Sequence, residues 1–362
     1  MASTALLRMI GQQADALDRI AEFDLAAPAA ILADATRVVL IGTGTSQHAA
    51  ELGAMMFEQA GMDARWYPAA TWARWSTGLR PGDALLVITH TAETAYAARA
   101  REAALAEGVP LVSITGQGRG WPEAIETVPP EESETYTVSY TSALAVLARL
   151  THQAATAGAS PHDLARVAAQ VRAVCADPGI DAVAVPARSL AIVGCGPWGI
   201  TAREGALKIR EGARLLAEGF DTERFLHGAA VPYTAADGLL LLEPDADPDG
   251  LTAVVGAAAA REGIAVAVFG GGAASDSAAS NSAASNSAAS DSAASEPAAS
   301  EPAASERADG LGPVLAQIPM TVRLQLLAER FARLRRQDPD TAIVGAWADP
   351  VLWRLGLPGT SR

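Results

Sequence analysis

Of the 27 basic residues in this 362-residue chain, only one, Lys208, is a lysine. The near-total preference for arginine is compositional, so a single retained ammonium points to a place where a planar guanidinium does not serve. Cysteine is scarce as well. Cys175 and Cys195 have neither metal-ligand spacing nor the look of a disulfide framework, which suits a reducing cytoplasm. No basic run offsets the net charge of -14, and phosphate backbones are gripped by clustered Lys and Arg, so a nucleic-acid partner is not expected. Small anions are still accessible to such a chain, through backbone N–H groups and hydroxyls at helix N-termini. No apolar run reaches the roughly 20 residues of a spanning helix. The opening "MASTALLRMIGQQADALDRIAEF" lacks a basic start followed by an apolar core. The expectation is a soluble, cytoplasmic protein with no membrane partner and no resident metal or cofactor.

What is present is ample apolar content, 50%, in a chain longer than one core usually fills. The segment "TRVVLIGTGTSQHAAELGAMMFEQAG" passes from a buried-strand run, Val38 to Ile41, through a glycine turn into a helical pattern. Further strand and helix units follow in "DALLVIT", "AETAYAARAREAALAEG" and "VPLVSIT", with a long helix from about Val138 to Ala157. This alternation predicts a parallel, doubly wound sheet. After "PHDLARVAAQVRAV" the pattern restarts with "RSLAIVGCGPWGITAREGALKIREGARLLAEG", as in a twofold repeat. The helix begun there is expected to run through about Ala217. A strand "GLLLLE", a helix "PDGLTAVVGAAAAREG", a strand "IAVAVFG" and a last helix from about Met320 to Arg336 complete the second half.

Seven pentads of the AASDS type fill residues 273–307. Small polar residues bury too little apolar area to offset the entropy of ordering, so a disordered surface insert is expected. Its five acids, Asp276, Asp291, Glu296, Glu301 and Glu306, against Arg307 supply about four of the fourteen net negative charges.

Three stretches are candidate sites. The turn "GTGTSQ", Gly42 to Gln47, offers free N–H groups and the hydroxyls of Thr45 and Ser46 at a helix start. A second hydroxyl cluster, "VITHTAET", ends another strand. Ligands of open parallel sheets sit at the strands' carboxyl ends, so Thr89, His90, Thr91 and Thr94 are positioned to face the same anion as Ser46. The third stretch holds Gly194, Gly196 and Gly199 in GxGxxG spacing, but a dinucleotide site wants a second strand ending in an acid about 20 residues on. The expected helical continuation sets that reading aside. On that helix Glu204, Lys208 and Glu211 lie at i, i+4 and i+7 and share one face, either as a solvated ion-pair ladder or as a site that needs a compact ammonium.

These residues resemble those of the sugar isomerase (SIS) family, specifically the isomerase part of glucosamine-6-phosphate synthase and stand-alone relatives that handle amino-sugar phosphates. "GTGTSQHAA" is similar to the family's phosphate turn, "VITHTAETAYAARA" to its Ser-Gln-Ser-Gly-Glu-Thr segment, and "EGALKIREGARLLAEGFDTERFLHG" to its second-half helix. The resemblance implies an α/β fold of two tandem SIS-type, flavodoxin-like subdomains, each a parallel sheet flanked by helices. These would span 1–165, with the phosphate-binding loops, and 166–362, with the catalytic helix and the insert. It implies phosphate contacts at Gly44, Thr45, Ser46, Thr89, His90, Thr91 and Thr94, with threonines at 89 and 91 for the usual serines. His90 replaces the usual glutamine and offers a proton-dependent charge.

The resemblance further implies Glu211 as the base that moves a proton between the first two sugar carbons. Lys208 would stand near the reacting oxygens, and His227 would be a ring-opening histidine reaching in from a second copy, hence a homodimer. The tail "DPDTAIVGAWADPVLWRLGLPGTSR" has no lysine for the family synthase's Schiff base. With about 35 residues before the first strand, no glutaminase domain is expected. The implied activity is isomerisation or deamination of a phosphorylated sugar. The alternative is binding of such a sugar without turnover.

Overall fold

The computed structural model describes residues 3–76, 78–155, 160–243, 249–270 and 314–354. The pentad insert lies outside these residues. Three short helices, α1 (Ala5–Gly11), α2 (Gln13–Ala21) and α3 (Ala26–Ala33), lead into β1 (Arg37–Gly42) and α4 (Thr45–Gln59). Then come β2 (Ala64–Pro68), α5 (Ala69–Trp75), β3 (Asp83–Ile88), α6 (Ala95–Glu107), β4 (Leu111–Thr115), β5 (Ala124–Glu126) and α7 (Val138–Ala155). All strand pairs are parallel, in the order β2-β1-β3-β4-β5. Every residue of β3 and β4 is buried, which is why these strands read as continuous apolar runs: helices cover both faces of the sheet.

The second half repeats the plan. A capping box of Ser160 and Asp163 starts α8 (Pro161–Ala176). There follow β6 (Ser189–Gly194), α9 (Pro197–Ala213), β7 (Leu216–Asp221), the single turn α10 (Thr222–Arg224), β8 (Gly238–Glu243), α11 (Leu251–Arg261) and β9 (Ala265–Gly270). The sheet order is β7-β6-β8-β9, again parallel. Helix α12 (Gln317–Arg335) and the short α13 (Pro350–Arg354) close the described chain. Two parallel sheets flanked by helices are the α/β fold class expected from the sequence.

One element departs from expectation. Helix α9 ends at Ala213 rather than near Ala217, with Arg214 in the left-handed region at φ 49°. Beyond it Leu215 and Ala217 are buried while Leu216 and Glu218 are exposed, an alternation with the period of a strand. Strand β7 then lies directly on the helix before it. A Cβ on Gly219 would stand 2.3 Å from Arg203 Cα, so only glycine permits the approach.

A single large core joins the halves. In α7 every residue from Val138 to Thr151 is buried, and in α12 every residue from Gln317 to Ala328, as befits helices covered on all sides. Helix α9 packs between α4 and α12. The segment after α12 is tied to the first helix: the Asp340 carboxylate accepts from the N–H groups of Ala5 (2.8 Å) and Leu6 (2.7 Å) at the start of α1. Among the described residues, no helix is long and apolar enough to cross a membrane.

Candidate active site

The two glycine turns are conformational twins. Gly44 has φ 59° and ψ -127°, and Gly196 has φ 59° and ψ -125°, values that favour glycine at both helix starts. Their surroundings differ. At the same register, Gly42 faces Pro68 of β2 and Gly194 faces Asp221 of β7. The Asp221 carboxylate accepts from the Gly196 N–H (3.1 Å) and from the Glu223 N–H (3.0 Å), so the second turn holds an anion of its own. Pro68 has no side-chain acceptor to offer the first turn. The second strand ending in an acid, whose absence was expected, is present: β7 ends at Asp221, and its carboxylate takes the Gly196 N–H that a pyrophosphate would otherwise meet.

At the open turn, Thr45 and Ser46 line a cavity of about 20 Å³ together with His90, Thr115, Thr127 and Tyr140, room for about one water. Thr89 is buried and donates through Oγ1 to Thr94 Oγ1 at 3.4 Å, while Thr91 Oγ1 accepts from the Glu93 N–H at 3.2 Å. Thr94 is the residue before α6, with no side-chain cap on that helix. Ala92 takes φ 57° within this loop, a left-handed conformation that strains a residue with a Cβ.

His90 is not the titrating charge the sequence suggested. Burial, aided by Arg119, pushes its pKa down to about 4, so the ring is neutral near pH 7. Its Nε2 accepts from the Glu131 N–H at 3.4 Å, and its edge rests on Tyr136, ring centroids 5.7 Å apart.

The acid and base residues converge where α4 meets α9. Glu204 is fully buried, and three groups from the two helices surround it: Thr45 Oγ1 donates at 3.1 Å, His48 Nδ1 lies at 2.7 Å, and Lys208 Nζ stands at 3.5 Å. Lys208 Nζ also donates to Glu211 Oε2 at 2.7 Å. With no exposure of its side chain, Lys208 is not part of a solvated ladder. Burial opposes its charge, but Glu211 and Glu204 outweigh that and push its pKa up to about 12. Glu204 is also desolvated, yet Lys208, His48 and Thr45 hold it below the usual carboxylate range. Glu211 goes the other way: desolvation, with Glu204 adding to it, raises its pKa despite the ammonium. Its side chain keeps 20% exposure, while those of Lys208 and Glu204 keep none.

Supporting contacts fix this arrangement. Arg203 pairs with Glu51 at 2.7 Å, a second link between α9 and α4. Glu131 accepts from the N–H groups of Thr137 and Ser139, closing the N-terminus of α7, and adds to the negative field on Lys208. His48 is the residue that sequence reasoning passed over, although its position three residues after Thr45 places both on one face of α4. His227 stands apart, with a side chain 77% exposed and Glu223, 3.9 Å away, as its charged neighbour. The chain thus brings Thr45 of the first glycine turn, Glu204, Lys208 and Glu211 together, while His227 is exposed on the single chain.

A doubled parallel α/β fold, with a glycine turn at a strand end in each half, defines the class of architecture to which the chain belongs. Residues 31–152 match the family model of the SIS domain. The C-terminal domain of glucosamine-fructose-6-phosphate aminotransferase from Francisella tularensis has the same fold, with TM-score 0.71 and 16% identity over 94% of this chain and 98% of that one. Tagatose-6-phosphate ketose/aldose isomerase from Escherichia coli aligns with TM-score 0.71 and 16% identity, covering 96% of this chain and 97% of that one. Glucosamine-6-phosphate deaminase from Thermotoga maritima gives 0.70 and 15%, covering 93% and 97%. At these identities the likeness is one of fold. No curated protein sequence matches the chain.

Proposed function

We propose that the chain is an aldose–ketose isomerase or isomerising deaminase of a phosphorylated amino sugar, of the glucosamine 6-phosphate and fructose 6-phosphate class. The observation that carries this reading is the buried Lys208 ammonium, 2.7 Å from a Glu211 carboxyl that is partly open and raised in pKa. A carboxyl raised by burial is the kind of base that moves a proton between adjacent carbons near neutral pH. A fixed ammonium beside it stabilises negative charge developing on the sugar's oxygens. The phosphate would rest on Gly44, Thr45 and Ser46, with Thr89, Thr91 and Thr94 closing around it, at the turn without an internal carboxylate. The isomerase and deaminase among the fold neighbours support the same class.

Purified protein incubated with glucosamine 6-phosphate, and separately with fructose 6-phosphate plus ammonia, tests this. Glu211→Gln is expected to lower kcat roughly 100-fold or more with ligand affinity retained. Tight binding of both sugars without turnover by the unmodified protein would identify a sensor instead.

A further inference from the structure

His48 has the construction of a proton-transfer group. Its Nδ1 is locked 2.7 Å from Glu204 Oε2, an ionised carboxylate and so an acceptor, which assigns the ring proton to Nδ1 and leaves the lone pair on Nε2. The side chain is 12% exposed, whereas Glu204 is fully buried. Among the described residues Nε2 has no hydrogen-bond partner, and it is not among the buried unpartnered nitrogens, so it is an edge of the ring that keeps some exposure. A buried carboxylate behind an imidazole whose far nitrogen is open is the arrangement that holds a general base in one tautomer and stabilises its protonated form. Thr45, one turn earlier on α4, donates to the same carboxylate from the anion turn, and Lys208 touches it from the other side. Through Glu204 the imidazole is thus linked both to the glycine turn and to the ammonium of Lys208. The charged and titratable groups around it are Glu204, Lys208 and Arg203 on α9, Glu51 on α4 and Tyr140 on α7.

Resting on the isomerase reading above, we infer that His48 opens the sugar ring within the same chain. Nε2 takes the proton of the anomeric hydroxyl, and the O–H electron pair becomes the second carbon–oxygen bond of the carbonyl. The bond from the anomeric carbon to the ring oxygen breaks, and its electron pair stays on that oxygen. The imidazolium returns the proton there. No proton is gained or lost overall, and Glu204 stabilises the imidazolium between the two transfers.

His48→Asn separates positioning from proton transfer, because the amide can still donate to Glu204 from near the Nδ1 position while nothing replaces Nε2. With glucosamine 6-phosphate and fructose 6-phosphate as probes, His48→Asn is expected to keep its thermal midpoint and ligand affinity. It should lose about 100-fold in kcat. Histidine ¹⁵N spectra of the unmodified protein should show His48 protonated at Nδ1, with its Nε2 resonance moving when glucosamine 6-phosphate is added. A kcat within about threefold of the parent, or an Nε2 resonance that ignores the ligand, overturns the inference while leaving Glu211 as base untouched. A parent protein that turns over neither sugar overturns the isomerase reading and this one with it.

Discussion

Replacing Lys208 by methionine keeps the length of the side chain and removes the charge that two buried carboxylates depend on. At an effective dielectric constant near 20, opposite charges at the 2.7 Å and 3.5 Å separations seen here attract by about 6 and about 5 kcal/mol before desolvation is subtracted. The rise of the lysine pKa from 10.5 to about 12 corresponds to a surplus of about 2 kcal/mol in favour of the charged form. That contribution is fully present below pH 10.5 and is lost as the pH climbs through about 12. Truncating the ammonium does more than forgo this surplus, because it strands Glu204 and Glu211 without their counter-ion, a change that costs about 3–5 kcal/mol in comparable buried pairs.

For a chain of this size, a loss of that order lowers the thermal midpoint by roughly 4–7 °C. The deficit should be largest at pH 8 and shrink toward pH 4.5, where the stranded carboxyls take up protons instead. Thermal unfolding followed by circular dichroism at both pH values, parent beside Lys208→Met, measures it. A midpoint within about 1 °C of the parent at both pH values would refute the role of Lys208 as the buried counter-ion. Lys208→Arg is expected to fail differently, by overpacking a site with no free surface, at a cost of about 1–3 kcal/mol at either pH.

His90, with its pKa lowered from 6.5 to about 4, withdraws stability as the pH falls from 6.5 toward 4, by up to about 3 kcal/mol. His90→Gln should flatten the dependence of the thermal midpoint on pH in that window, and an unchanged slope would show that the ring titrates normally. Ala92→Gly relieves a left-handed residue at a loop between a strand and a helix, and is expected to stabilise by about 0.5–1 kcal/mol in urea unfolding once glycine's extra freedom in the unfolded chain is counted. A loss of stability there would show that the loop does not hold this conformation.

The sheet strands were legible because burial on both faces writes itself as unbroken apolar runs, as in Val38 to Ile41 and "GLLLLE". Less legible were β2, with Arg65 exposed, and β5, only three residues long, since neither carries such a run. The end of α9 misled because "ARLLAEGFD" has apolar spacing that fits a helix and a strand alike. The αL turn at Arg214 and the contact at Gly219 decide between them, and neither is local in sequence. For the site, the i, i+4, i+7 stripe placed Lys208 and Glu211 correctly on one face. That the face is buried, and that His48 comes from a helix some 150 residues earlier to meet it, are consequences of tertiary packing. The misjudged charge on His90 has the same origin, for desolvation is set by neighbours such as Tyr136 that no spacing rule connects to it.

The plugged turn at Gly196 bears on how a duplicated fold divides its labour. Two equal nests for a phosphate would let a sugar ester settle in either orientation, only one of which presents its carbons to the base. By stoppering one nest with Asp221, the molecule makes that turn repulsive to an anion, and a sugar ester bound as proposed would have its direction chosen before any chemistry begins.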